Sequence, residues 1–203
     1  MDADRAYHDP DAQRAIAVVG IGNLLLSDDG AGIHAIRALR KDSRVQSMAR
    51  LIDGGTVGTD LLAQVCGCER LLIVDAVDAG LPPGAMVWMD LNDAGPRKIE
   101  TRNAHQCGIP ELLDDLRLLG VAPRQVVLIG VQPATIGLGT RLSPEVASAL
   151  PALSAEVVRQ LERWASAADA VIFKGTQGTD STDAVLPGAA NKMTGTEQPR
   201  ERI

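Results

Sequence analysis

Two adjacent carboxylates, Asp28 and Asp29, stand inside a glycine-rich stretch, GIGNLLLSDDGAG, that spans residues 20–32. A third acid, Asp75, closes the apolar run Leu71-Leu-Ile-Val74, and an imidazole, His105, stands just before a helical segment. Carboxylate oxygen and imidazole nitrogen together suit a divalent cation such as zinc or nickel, with positions left open for water or substrate. They do not suit a phosphate, which the acids would repel. The dinucleotide fingerprint G-x-G-x-x-G fails as well, because Leu25 stands where its third glycine belongs. The glycines are therefore expected to let the backbone turn tightly and approach closely after a strand.

Each residue also has a plainer role. Asp29 and Asp28 can cap the helix that follows them, and Asp28 is assigned mainly to capping or to supporting its neighbour. Asp75 could brace a loop, and His105 could sit at the surface. Asn23, Asp53, Gly54 and Gly55 are assigned to shaping the loops beside the crevice, with Asp53 satisfying turn N–H groups or holding a ligand's partner. No nucleophile competes: Ser27 lacks a G-x-S-x-G elbow. Cys107, two residues from His105, is read as a small buried side chain at a helix start. Cys66-Gly-Cys68 offers two soft ligands where a closed site needs more, so apolar filler is the preferred reading. His34 is expected to face solvent, and His8 has no role.

The elements that must position these groups follow from periodicity. Ile16–Val19 reads as a buried strand, and 30–40 as a helix with Ile33, Ile36, Ala38 and Leu39 as its apolar stripe. Arg50–Asp53 is a second strand, Thr59–Val65 a short helix, and Leu71–Asp75 a third strand. This β-α-β-α-β order implies parallel strands. Ala85–Met89 is a strand too close to Asp75 for a parallel crossover, which needs roughly a dozen residues. It is therefore expected to run antiparallel to the third strand if the two are neighbours. Gly108–Leu119 is amphipathic, Val126–Ile129 is a central strand, and Ser143-Pro144 opens a helix to about residue 165. The fold class expected is α/β in three layers: a twisted, mostly parallel five-stranded sheet with one antiparallel strand and helices on both faces. Ligands gather at the carboxyl ends of such strands, where the winding reverses. Asp29, Asp75 and His105 are expected to converge there.

Composition sets the outer bounds. The 203 residues carry a formal net charge of -6, and only 2% are aromatic. That combination argues against a nucleic-acid partner. No apolar run is long enough to span a bilayer, and the acidic start has no signal-peptide core. Three cysteines suit a reducing cytoplasm. Residues 1–14 are expected to be a flexible leader, 15–165 a single α/β domain, and 166–203 a mostly disordered tail.

GIGNLLLSDDGAG, Asp53-Gly-Gly-Thr56, Val74-Asp-Ala76 and His105-Gln-Cys-Gly108, in this order and spacing, resemble the hydrogenase maturation endopeptidases from about Ile16 to Trp164. Gly130-Val-Gln-Pro133 and Leu142-Ser-Pro-Glu-Val146 extend the likeness. The resemblance implies a twisted mixed sheet flanked by helices. It implies a protease that removes the C-terminal extension of a nickel–iron hydrogenase large-subunit precursor after nickel insertion. It implies Asp29, Asp75 and His105 as the metal contacts. On chemical grounds Asp29 or Asp75 is expected to serve as general base. Some members carry Glu at the position of Asp29, and Asp28 is the neighbouring alternative. Nickel would arrive with the precursor, and zinc or cadmium are alternative occupants. The enzyme is expected to be a cytoplasmic monomer of aspartic type. Two other readings are a non-catalytic nickel-binding assembly protein and, more weakly, a mononucleotide-binding domain.

Overall fold

The computed structural model describes residues 15–57, 59–92 and 108–175. Five strands, β1 (Ile16–Ile21), β2 (Arg50–Gly55), β3 (Arg70–Ala76), β4 (Met86–Asp90) and β5 (Gln125–Val131), form one sheet in the order β2-β1-β3-β5-β4. The β1–β2, β1–β3 and β3–β5 pairs are parallel, and β4–β5 is antiparallel. β4 is thus the one antiparallel strand, as its short approach requires. Its neighbour, however, is β5 rather than β3. The chain passes the edge of β3, lays down β4, and returns through α4 to insert β5 between them.

Every residue of β1, and all of β3 and β5 after their first residues, is buried, because both faces of these strands are covered. On one face Val18, Leu72, Val74 and Ile129 pack with α1 (Ala31–Leu39) and α5 (Pro144–Gly175) through Ile36, Leu153, Val157 and Leu161. On the other, Val19, Leu71, Ile73 and Leu128 pack with α3 (Thr59–Val65) and α4 (Gly108–Leu118) through Leu61, Ile109, Leu112 and Leu116. The alternation of residues 71–74 between these two cores is the period of two made visible.

Several local details differ from the expectation. The apolar stripe of α1 includes buried Ala35, while Ala38 is exposed. A short helix unforeseen in the sequence, α2 (Ser43–Met48), is capped by the Asp42 carboxylate, which accepts from Arg44 N–H at 2.9 Å. Leu118 and Leu119, at the end of α4, are exposed. Ser143 caps α5 as expected, its hydroxyl accepting from Val146 N–H at 3.3 Å. The helix continues past Ala165 to Gly175, since SAADAVIFK carries no breaker and glycine ends it. The remainder of the expected tail, the leader 1–14, and the segment 93–107 with His105 and Cys107 lie outside the described residues.

Candidate active site

β1 lies between β2 and β3, and its chain connects to β2, so the winding reverses between β1 and β3. The site is built over that point. After β1 the chain enters a short 3-10 helix, Ser27–Gly30, that carries both acids and runs into α1. Two glycines allow so close a return. Gly22 has φ +139°, and a Cβ there would collide with the carbonyl of Asp29. A Cβ on Gly32 would collide with the carbonyls of Val74 and Ile21, so α1 rests directly on the ends of β1 and β3. The role expected for the glycine loop is the one observed.

Asp28, Asp29 and Asp75 are 0%, 2% and 1% exposed. Burial of a carboxylate demands partners, and the three acids meet that demand differently. Asp28 Oδ2 accepts from the backbone N–H of Ala134 at 2.9 Å and Thr135 at 3.0 Å, and its Oδ1 accepts from Ser143 N–H at 2.6 Å. It ties the loop after β5, and the start of α5, to the 3-10 helix. Neither acid caps α1 through its side chain.

Asp29 Oδ2 accepts from Asn23 N–H at 2.9 Å. Asn23 in turn uses its Oδ1 to accept from Leu25 N–H at 2.9 Å, so it is bonded at both ends of the turn. Asp75 Oδ1 accepts from Ala76 N–H at 2.8 Å, while Oδ2 has no hydrogen-bond partner among the described residues. Burial, above all, pushes the Asp75 carboxyl well above the usual carboxylate range, and the nearby Asp29 charge adds to it, against the pull of the Ala76 N–H. Asp29 and Asp75 therefore belong to one electrostatic site.

Asp75 lies on β3 in phase with Leu71 and Ile73, which belong to the core facing α3 and α4. α4 begins at Gly108, where a Cβ would fall 2.8 Å from Val57 Cβ, just past the end of β2. Among the described residues no group of three or more His, Cys, Asp or Glu side chains could hold a metal ion. The third expected donor, His105, lies outside them.

The other expected residues divide. Asp53 accepts from Gly55 N–H at 3.3 Å and lies 3.8 Å from Arg37 Nη2, so it shapes its turn and faces α1. Gly55, with φ +52°, accepts from Gly22 N–H at 2.8 Å, and a Cβ on Gly54 would fall 2.7 Å from Val19 Cγ1. Both shape the β1–β2 edge. His34 is half-buried rather than solvent-facing. Burial first, and the Arg37 charge second, push its imidazole below the ordinary value. Cys68 is the buried filler expected, its thiol pushed up to about 11 chiefly by burial, whereas Cys66 is exposed. Ser27 spends its hydroxyl on the carbonyl of Gly137 at 3.0 Å.

Gln132 was not among the expected site residues. Buried just after β5, its Oε1 accepts from Ala79 N–H at 2.8 Å and Leu81 N–H at 3.1 Å, and its Nε2 donates to Asp78 Oδ1 at 3.1 Å. It holds the loop that leaves Asp75. Its sequence signals were its place between a strand end and Pro133 and its inclusion in the Gly130-Val-Gln-Pro133 likeness.

A mixed five-stranded α/β sheet with buried carboxylates at its switch point defines a small α/β protein with an acidic cleft. The comparisons narrow it. The family model for hydrogenase maturation protease matches residues 33–160. Hydrogenase expression/formation protein HupD of Rhodobacter capsulatus is 34% identical over 191 residues, covering 92% of this chain and 87% of that protein. The hydrogenase maturating endopeptidase HybD of Escherichia coli superposes with a TM-score of 0.65 at 27% identity, over 73% of this chain and 92% of that one. The [NiFe] hydrogenase maturation protease HybD of Thermococcus kodakarensis superposes with a TM-score of 0.60 at 30% identity, over 72% and 97%. The chain belongs to the hydrogenase maturation protease family, and is a peptidase.

Proposed function

We propose that this peptidase removes the C-terminal extension of a nickel–iron hydrogenase large-subunit precursor, and that Asp29, Asp75 and His105 recognise nickel already held by that precursor. The observation that carries this reading is the unpartnered, buried Oδ2 of Asp75 beside the Asp29 carboxylate. An orphaned carboxylate oxygen is costly unless a cation or proton completes it. The start of α4 against Val57 supports the inclusion of His105. His105 precedes Gly108 by three positions, a reach of about 10 Å of extended chain.

Asp29 or Asp75 is the general base. Nickel in the precursor would position the scissile region and polarise its carbonyl or a water. The enzyme acts as a cytoplasmic monomer, without a nucleic-acid or membrane partner. No helix among the described residues is long and apolar enough to cross a membrane, and Cys66 and Cys68 are free thiols.

The test is incubation with nickel-loaded precursor, read as a C-terminal mass loss. Asp29→Asn, Asp75→Asn and His105→Gln are each expected to lower the rate by at least about 100-fold. Full processing by all three variants would discard the cluster, and binding without cleavage by the wild-type chain would overturn the assigned reaction.

A further inference from the structure

Both carboxylates of the site are almost fully buried, so a polypeptide substrate must reach them across the loops that wall them in. One wall is made of two segments zipped together. Leu26 and Gly139 form a parallel bridge, Ser27 N–H donates to Gly139 carbonyl at 2.8 Å, and Gly139 N–H donates to Leu25 carbonyl at 3.0 Å. Asp28 clamps the same loop from inside through Ala134, Thr135 and Ser143. Ser27 is held at φ +55°, the one non-glycine residue with positive φ among those described. Asn23 joins this wall to the site, since its N–H binds Asp29 and its side chain binds Leu25 N–H.

So firmly built a wall nevertheless ends in solvated apolar side chains. Leu25 is 62% exposed, Ile136 41% and Leu138 94%. Leu25 and Leu138 flank the Leu26–Gly139 bridge and Ile136 lies two residues before Leu138, so exposed apolar side chains stand on both segments of this wall. Rigidity also lowers the ordering cost of binding.

We propose that Leu25, Ile136 and Leu138 form the docking rim for the precursor polypeptide, gripping an apolar segment next to its scissile bond. This rests on the precursor-processing reading given above. The argument for that occupant is continuity: the rim is covalently and hydrogen-bond continuous with the Asp29 loop, so whatever is cut at the carboxylates lies beside it. The rim then sets substrate affinity, while the carboxylates set the chemical step.

The experiment is steady-state cleavage of nickel-loaded large-subunit precursor by wild type, by the double variant Leu25→Asp/Leu138→Asp, and by Leu118→Asp as control. Leu118 is an equally solvated leucine at the far end of α4. Thermal melts and gel filtration accompany the rates. The double variant is expected to raise KM at least tenfold with kcat within twofold, an unchanged melting temperature and an unchanged elution volume. The control is expected to match wild type. Wild-type cleavage with an unaltered KM in the double variant overturns the rim alone. A shift from dimer to monomer at unaltered KM assigns the rim to self-association and overturns the proposal as well. An inactive wild type overturns the precursor-processing reading and the rim with it.

Discussion

Three buried aspartates illustrate how environment, rather than residue type, decides a role. Asp28 has three backbone donors and is satisfied. Replacing it by alanine leaves those donors without their partner, and the expected cost is about 2–4 kcal/mol in urea unfolding. A loss below about 0.5 kcal/mol would mean the clamp is unimportant. Asp75 differs, because burial and then Asp29 raise its carboxyl above its ordinary value. A raised folded pKa favours the protonated native state. That contribution is complete below the ordinary carboxylate range and is lost as pH rises through the raised value. Asp75→Asn cannot ionise. The melting temperature of the metal-free wild type is therefore expected to fall relative to that of Asp75→Asn as pH is raised from about 4 to 9. A difference independent of pH, or one of opposite sign, would contradict the burial argument. Asp29 and Asp75 were legible as candidates because each directly follows or closes an apolar strand. The clamp partners of Asp28 were not. They lie 106 to 115 residues away along the chain, and no local pattern announces them.

At the scale of elements, the strand-to-helix returns depend on backbone touching backbone. Gly32 lies near the start of α1, where glycine-to-alanine would ordinarily gain about 1 kcal/mol of helix propensity. Here the added methyl meets the carbonyls of Val74 and Ile21, both on rigid strands. The sign should reverse, with Gly32→Ala destabilising by about 1–3 kcal/mol, read from the urea midpoint. A stabilised variant would show that α1 does not rest on the sheet as described. The strands themselves were readable from their apolar runs, and β4 from a connection too short to cross over. Its partner was not readable, because the choice between β3 and β5 depends on where a later segment inserts. The apolar phase of α1 slipped by the same logic. Alanine is too small to declare its side, and Ala35 rather than Ala38 faces the core.

For the whole molecule, the sheet is a frame with a working edge. The carboxyl ends of the parallel strands carry the 3-10 helix, the Gln132-braced loop and the clamped 133–143 segment, while α2 leads into the amino end of β2. This division gathers three short stretches distant in sequence, residues 20–32, Asp53–Thr56 and Val74–Ala76, at one edge. In the proposed site Asp29, Asp75 and His105 share one cation. Anomalous diffraction from crystals grown with nickel or cadmium tests it most directly. One ion contacted by all three side chains is predicted; an ion bound elsewhere, or His105 on the far side of the sheet from the two carboxylates, would contradict it.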